Sequence, residues 1–241
     1  MEGSGHLAAT MTALASLVLG EPSPHDTLGR VARLSAQAIP GVAGAGLTWE
    51  PGTRSASVDS SHDFARRLDQ LQYRLGEGPG LQAYHEQQVV LARTVAGWPR
   101  WPRFSAVALE EGVRTVLAVP LTAGGARLGT LSLYSQSADA FDGTATAQAE
   151  LFAEHAAHVL ACARELAESR SAARNLREAL ASRAPIEQAK GILMAREHCD
   201  PQQAFDLLRE ASQCSHVKLS DIARLLVDAA SRNGADAKSS V

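Results

Sequence analysis

Cys162, Cys199 and Cys214 have the broadest chemical reach of any residues in this 241-residue chain, and their arrangement argues against its use. They are odd in number, far apart, form no CxxC pair and have no histidine at a ligand spacing. Neither a zinc site nor a disulfide framework is expected, and a reducing cytoplasm is the simplest setting. His62, Tyr84 and His85 lie near the stretch Gly76-Glu77-Gly78-Pro79-Gly80 but supply no nucleophile with its base, so no catalytic role, metal or cofactor is assigned and no enzyme is expected. The glycine stretch lacks the Lys-Ser/Thr pair of a phosphate-cradling loop and reads as a structural turn, its glycines reaching backbone angles closed to other residues. Trp98 and Trp101 stand beside prolines, where two indoles either line a ligand site or cover an apolar edge.

The hydrophobic fraction of 45% and charged fraction of 20% suit an ordinary folded protein. A formal charge of −3 gives no global field toward nucleic acid or an anionic membrane, so any polyanion site must be a local patch. Leu7 to Leu19 is fairly apolar but lacks a basic leader and is too short to span a membrane. It is expected to be an amphipathic helix that either joins a dimer bundle or covers one face of the first domain. No membrane association is expected.

The elements that must position these residues change character near residue 143, which favours two domains. Before it, helices are expected from Asp26 as a cap to Ala38, from His62 to Arg74, from Leu81 to Glu86, and from the Trp101-Pro102 segment to Glu111. Strands are expected at Ala45–Trp49, Ser55–Asp59, Val89–Thr94, Thr115–Leu121 and Leu128–Ser135, with turns at Glu50-Pro51-Gly52-Thr53 and Ala123-Gly124-Gly125-Ala126. Neighbouring strands joined by tight turns imply an antiparallel sheet with flanking helices, an α+β domain over residues 6–143.

From Thr144 to Ala184 there is no glycine or proline, and Phe152, His155, Val159, Cys162, Leu166, Ser169, Ala173, Leu176 and Leu180 recur at alternating spacings of three and four. This is a coiled-coil-like seam over residues 144–182 that asks for a second copy, so a homodimer is expected. At Pro185 either the helix kinks or Ser182 caps a new one. Three short amphipathic helices follow over residues 183–232, the second capped by Asp200-Pro201-Gln202-Gln203. Leu193, Met194, Ala204, Leu207, Leu208, Ala211 and Ala223 are expected in their core. Residues 233–241 are expected to be a frayed tail.

Leu75-Gly76-Glu77-Gly78-Pro79-Gly80-Leu81-Gln82-Ala83, Trp101-Pro102-Arg103-Phe104, Gly112-Val113-Arg114-Thr115-Val116-Leu117-Ala118-Val119-Pro120-Leu121 and Leu128-Gly129-Thr130-Leu131-Ser132-Leu133-Tyr134 resemble a GAF domain of the type common in actinobacterial regulators. The resemblance implies a sensory module with a pocket between sheet and helices, and a small-molecule ligand there is an expectation. Many such relatives carry a Cys and then an Asp after Gly-Pro. This chain has Gly80 and Gln82 there, so thiol-based redox sensing, chromophore attachment and sulfoxide chemistry are not expected.

Ile186-Glu187-Gln188-Ala189-Lys190-Gly191-Ile192-Leu193-Met194, Ala204-Phe205-Asp206-Leu207-Leu208-Arg209-Glu210-Ala211-Ser212 and Lys218-Leu219-Ser220-Asp221-Ile222-Ala223 are similar to the ANTAR domain. That similarity implies an RNA-binding transcription antiterminator acting as a dimer on paired stem-loops in messenger leaders. Carried over by position, Ala189, Lys190, Gly191, Arg209 and Ser212 are the expected RNA-facing residues, with Lys190 on phosphate, Gly191 allowing close approach, and Arg209 bonding phosphate or stacking on a base. Arg183 and Lys218 join them by charge and proximity. Against this, residues 183–232 hold seven Lys/Arg and seven Asp/Glu. A neutral domain can bind RNA only through clustered cations and doubled contacts, and the alternative is a sensor or adaptor whose helical C-terminus binds a protein partner.

Overall fold

The computed structural model describes residues 9–17, 24–49, 57–93 and 99–238. The chain divides into two compact units, Met1–Ala167 and Glu168–Val241, so the first extends well beyond the expected boundary at 143.

The first unit is built on a five-stranded antiparallel sheet in the order β2-β1-β5-β4-β3. Its strands are β1 Gly44–Trp49, β2 Ser57–Ser60, β3 Val90–Arg93, β4 Thr115–Ala123 and β5 Ala126–Ser135. The β4–β5 turn uses Gly124 and Gly125 at φ 56° and 78°, a left-handed geometry that glycine adopts without steric cost. The turn expected at Glu50–Thr53 lies outside the described residues.

Alternation along the strands sorts the sheet into two covered faces. Ala45, Leu47, Leu117, Val119, Leu121, Leu131 and Leu133 point to one side, into a cluster with helices α1 (residues 9–17) and α2 Pro24–Ala38 and with the start of α6 Gly143–Glu197. Val116, Ala118 and Tyr134 point to the other, into a cluster with α3 Asp63–Leu75, α4 Pro79–Glu86 and α5 Pro102–Glu110. Leu14 and Leu17 are buried in the first cluster, so α1 covers a face of this unit, one of the two roles open from the sequence. Asp26 lies in the first turn of α2, which begins at Pro24, rather than ahead of it.

The start of α6 corrects the seam. Ala149, Phe152, Ala153, Ala156, Ala157 and Leu160 are buried against this unit's own sheet and helices, so Phe152 is covered by its own chain and His155 faces solvent. The run of alanines lets the helix approach closely enough to act as a layer of the domain. Beyond Leu160 the seam's leucines lose that cover: Leu176 and Leu180 are 62% and 61% exposed.

In the second unit α6 runs through Pro185 to Glu197, followed by α7 Pro201–Ser215 and α8 Leu219–Lys238. Ser182 does not cap a new helix, because its hydroxyl donates to the Glu178 carbonyl at 2.7 Å within a continuous one. Asp200 does cap α7: its carboxylate accepts from the backbone of Gln202 and Gln203, both at 2.8 Å, and Gln203 accepts in return from the Asp200 N–H at 3.0 Å. These bonds satisfy helix-end groups that would otherwise lack partners.

Ala189, Leu208 and Ala223 form the buried centre, with Ile186, Leu193, Leu219, Ile222, Leu226 and Val227 around it. Leu207, expected in this core, is 41% exposed, and Ala211 is exposed too. Alanine at two of the three central positions leaves room for only a narrow stripe of α7. Helix α8 continues through residues placed in the tail, and 239–241 lie outside the described residues. None of the described helices is long and apolar enough to cross a membrane.

Candidate functional site

In the second unit six of the expected RNA-facing residues fall into three groups, and Gly191 stands apart. Ala189 is fully buried beneath Leu208 and Ala223, and Ser212 donates its hydroxyl to the Val217 carbonyl at 2.6 Å, closing the α7–α8 turn. Both are committed to the fold, which removes Ala189 from the RNA-facing set. Arg183 and Lys218 are exposed. The Lys218 carbonyl accepts from Asp221 and Ile222 at the start of α8, so its backbone also serves the turn.

Lys190 and Arg209 form the remaining group. The Lys190 ammonium stands 3.1 Å from both carboxylate oxygens of Glu187, and Arg209 pairs with Asp206 at 2.9 Å. Each cation directly follows a core residue, Ala189 or Leu208, and therefore sits about 100° round its helix from the buried face. Arg224 repeats the placement after Ala223 and pairs with Asp221 at 2.8 Å. Arg224 is not among the residues expected from the sequence, although an acid three residues before a cation, with a core residue just ahead of that cation, marks the same placement there.

Gly191 is the most informative position. A Cβ built there meets nothing within 4 Å, so packing among the described residues does not require glycine. A glycine inside a helix costs about 1 kcal/mol relative to alanine, and no close packing among the described residues accounts for it.

The first unit holds a buried polar cluster that the sequence reading did not foresee. Asp69 and Gln72 lie on the core face of α3, 1% and 2% exposed, where Ala65 and Leu68 set the apolar pattern. The Tyr134 hydroxyl donates to Asp69 Oδ1 at 2.5 Å, and the Gln72 amide donates to the same oxygen at 3.2 Å. Gln72 Oε1 accepts from the Gly80 N–H at 2.7 Å, tying the cluster to the glycine loop. Among the described residues Asp69 Oδ2 has no hydrogen-bond partner.

Glycine is required beside this carboxylate, since a Cβ at Gly46 would lie 1.6 Å from Oδ2. Burial pushes the Asp69 carboxyl up to about 7, and hydrogen bonds from Tyr134, Ser132 and Gln72 only partly oppose it. Tyr134 is pushed up as well, by burial and by the neighbouring Asp69.

The glycine loop's other side opens on a groove of about 440 Å³ lined by Gly76, Glu77, Gly78, Leu81, Gln82 and Trp101, among others. Glu77 spans the two elements by accepting from the Arg103 and Phe104 N–H groups at 2.8 and 2.9 Å, capping α5. The loop is thus the structural turn that its sequence implies. Trp101 is buried against the α3–α5 cluster, while Trp98 lies outside the described residues. Cys162 and Cys214 are exposed and Cys199 is half-buried, all three with free thiols. Among the described residues no cluster of His, Cys, Asp and Glu could hold a metal ion.

A family model described as GAF domain matches residues 21–161, and one described as ANTAR domain matches residues 174–227. No curated protein matches the chain. Among solved structures, the GAF domain of a phosphoenolpyruvate-protein phosphotransferase from Coxiella burnetii is similar at 17% identity and TM-score 0.53, with 68% of this chain and 97% of that chain covered. The bacteriophytochrome RpBphP3 from R. palustris is similar at 11% identity and TM-score 0.53, with 78% of this chain and 43% of that one covered. At these identities the likeness establishes the fold alone. The chain therefore belongs to the GAF domain family over residues 21–161 and carries an ANTAR domain over residues 174–227.

Proposed function

We propose that this protein is a signal-responsive, dimeric regulator of the cytoplasm whose second unit binds stem-loops in nascent messenger leaders and so prevents transcription termination. GAF is a sensor domain and ANTAR an RNA-binding antiterminator domain. The observation that carries the reading for this chain is Gly191, a helix-interior glycine with open space on its outer side, which suits close approach of a phosphate backbone flanked by Lys190. Gly191→Ala is expected to stabilise the helix by about 1 kcal/mol and yet weaken binding to a two-stem-loop leader RNA. Denaturant unfolding and gel-shift titration of the same variant check both halves. A variant that is more stable and binds equally well would remove Gly191 from the interface.

The dimer is proposed on Leu176 and Leu180, exposed one helical turn apart in the part of the seam that the first unit leaves uncovered. Sedimentation is expected to give twice the chain mass. Leu176→Lys with Leu180→Lys should give the single-chain mass and weaken RNA binding, because a single chain is no longer bivalent. In the first unit, a small-molecule ligand is proposed for the groove beside Gly76–Leu81, and no turnover is proposed there. The reading in which α7 and α8 bind a protein instead is favoured by Leu207 and Leu225, 41% and 60% exposed. Failure to recover RNA from cells by crosslinking would promote it.

A further inference from the structure

Each helix of the second unit carries the same four-residue arrangement of an acid, any residue, a buried core residue and a cation. In α6 it is Glu187-Gln188-Ala189-Lys190, in α7 Asp206-Leu207-Leu208-Arg209, and in α8 Asp221-Ile222-Ala223-Arg224. In all three the cation turns back onto its own acid, at 3.1, 2.9 and 2.8 Å. Arg183 and Lys218 have no carboxylate partner among the described residues, and Arg196 reaches only its chain neighbour Glu197, at 3.9 Å, so close pairing across one helical turn is confined to these three positions among the described cations of residues 183–232.

The pairing has two physical consequences. Each cation is neutralised before any ligand arrives, which together with seven cations against seven acids over residues 183–232 removes the long-range attraction by which basic domains collect any polyanion. Each pair is also exposed on at least one side: the Arg209 and Arg224 side chains are 57% and 50% exposed, and at the first pair Glu187 is 58% exposed while Lys190 is 18%, and exposed pairs are weak enough to open. A phosphate that meets the cation in the right place can displace the carboxylate. One that wanders along a flexible strand gains too little to do so, because the acid remains nearby and repels it.

We infer that Glu187, Asp206 and Asp221 are specificity determinants that mask three phosphate-binding cations against unstructured polyanions, and that Arg224 is the third of those cations. The masks let a neutral unit select folded RNA, whose phosphates are fixed in space, over single strands. This inference rests on the RNA-binding reading and adds to it a residue and a selection mechanism.

The test uses the full chain and two probes, a two-stem-loop leader RNA and polyuridine of the same length. The triple variant Glu187→Gln, Asp206→Asn, Asp221→Asn is compared with a control of equal charge change, Glu178→Gln, Glu210→Gln, Asp228→Asn, whose acids have no ion partner among the described residues. Unmasking is expected to tighten polyuridine binding at least tenfold and lower the stem-loop preference by a similar factor, while the control changes either affinity less than threefold. Arg224→Ala is expected to weaken stem-loop binding and reduce the salt slope by about one per protomer. Circular dichroism spectra that superimpose on wild type establish that the variants fold. Equal effects of the two triple variants, or an Arg224→Ala variant that binds as wild type, would overturn the inference and leave RNA binding itself intact. A wild-type chain with no stem-loop preference would instead overturn the RNA reading, and the inference with it.

Discussion

Asp69→Asn is expected to make the first unit more stable above neutral pH and to flatten its dependence on pH. The buried carboxyl is held near 7, against an ordinary value of 3.8, because burial disfavours the charged form more than the hydrogen bonds from Tyr134, Ser132 and Gln72 favour it. The folded state therefore binds the proton more tightly than the unfolded state does. Stability is highest below the unfolded value, falls as pH rises from about 4 to about 7, and stays level above. The gap between the two values corresponds to about 4 kcal/mol lost across that window. Asparagine keeps the shape and an acceptor for Tyr134 without ionising, so it should recover on the order of 2–4 kcal/mol at pH 8. Chemical denaturation at pH 5, 6, 7 and 8 checks this. A wild-type stability that does not fall between pH 5 and 7, or a variant less stable than wild type at every pH, would contradict the assignment.

The second large effect is expected in RNA binding. Lys190→Ala combined with Arg209→Ala should weaken binding to a two-stem-loop RNA by on the order of 100-fold or more. A dimer is then short of two cations on each protomer, and each cation–phosphate pair contributes about 1 kcal/mol. The salt dependence should also become shallower, by about one in slope for each phosphate that the protein no longer neutralises. Stability should change little, because exposed ion pairs contribute little. Filter binding at several salt concentrations reads both quantities, and an unchanged slope would show that neither residue meets phosphate.

The parts of this molecule that follow local rules were legible in the sequence. The alternation of β4 and β5, the Gly124-Gly125 turn and the Asp200 cap are short-range features, and the structure has them where expected. Long-range cover was not legible. Phe152 and Leu180 both fit a seam spacing, yet the first is buried in its own unit's core and the second is left 61% exposed. Periodicity reports which face is apolar and is silent on what covers it.

Asp69 and Gln72 escaped notice for a related reason. Their spacing from Ala65 and Leu68 puts them on the core face of Asp63–Leu75, but a polar side chain there is explained only by its partners, and Tyr134 and Gly80 lie 65 and 8 residues away in the chain. In the second unit, Ala189 was expected at the RNA surface as a motif position carried over with Lys190 and Gly191, although one step along a helix turns a side chain by about 100° and Ala189 is fully buried. The same rotation puts Lys190, Arg209 and Arg224 beside the core rather than in it.

The central claim is that the second unit binds folded RNA through cations set at the edges of a small helical core. Its most direct test is a titration of the purified full chain with a two-stem-loop leader RNA and with the same sequence altered so that neither stem pairs, across a range of salt. Tighter binding to the paired RNA, with log affinity falling linearly as log salt rises, is the predicted result. Equal binding to both RNAs, or an affinity indifferent to salt, would contradict it.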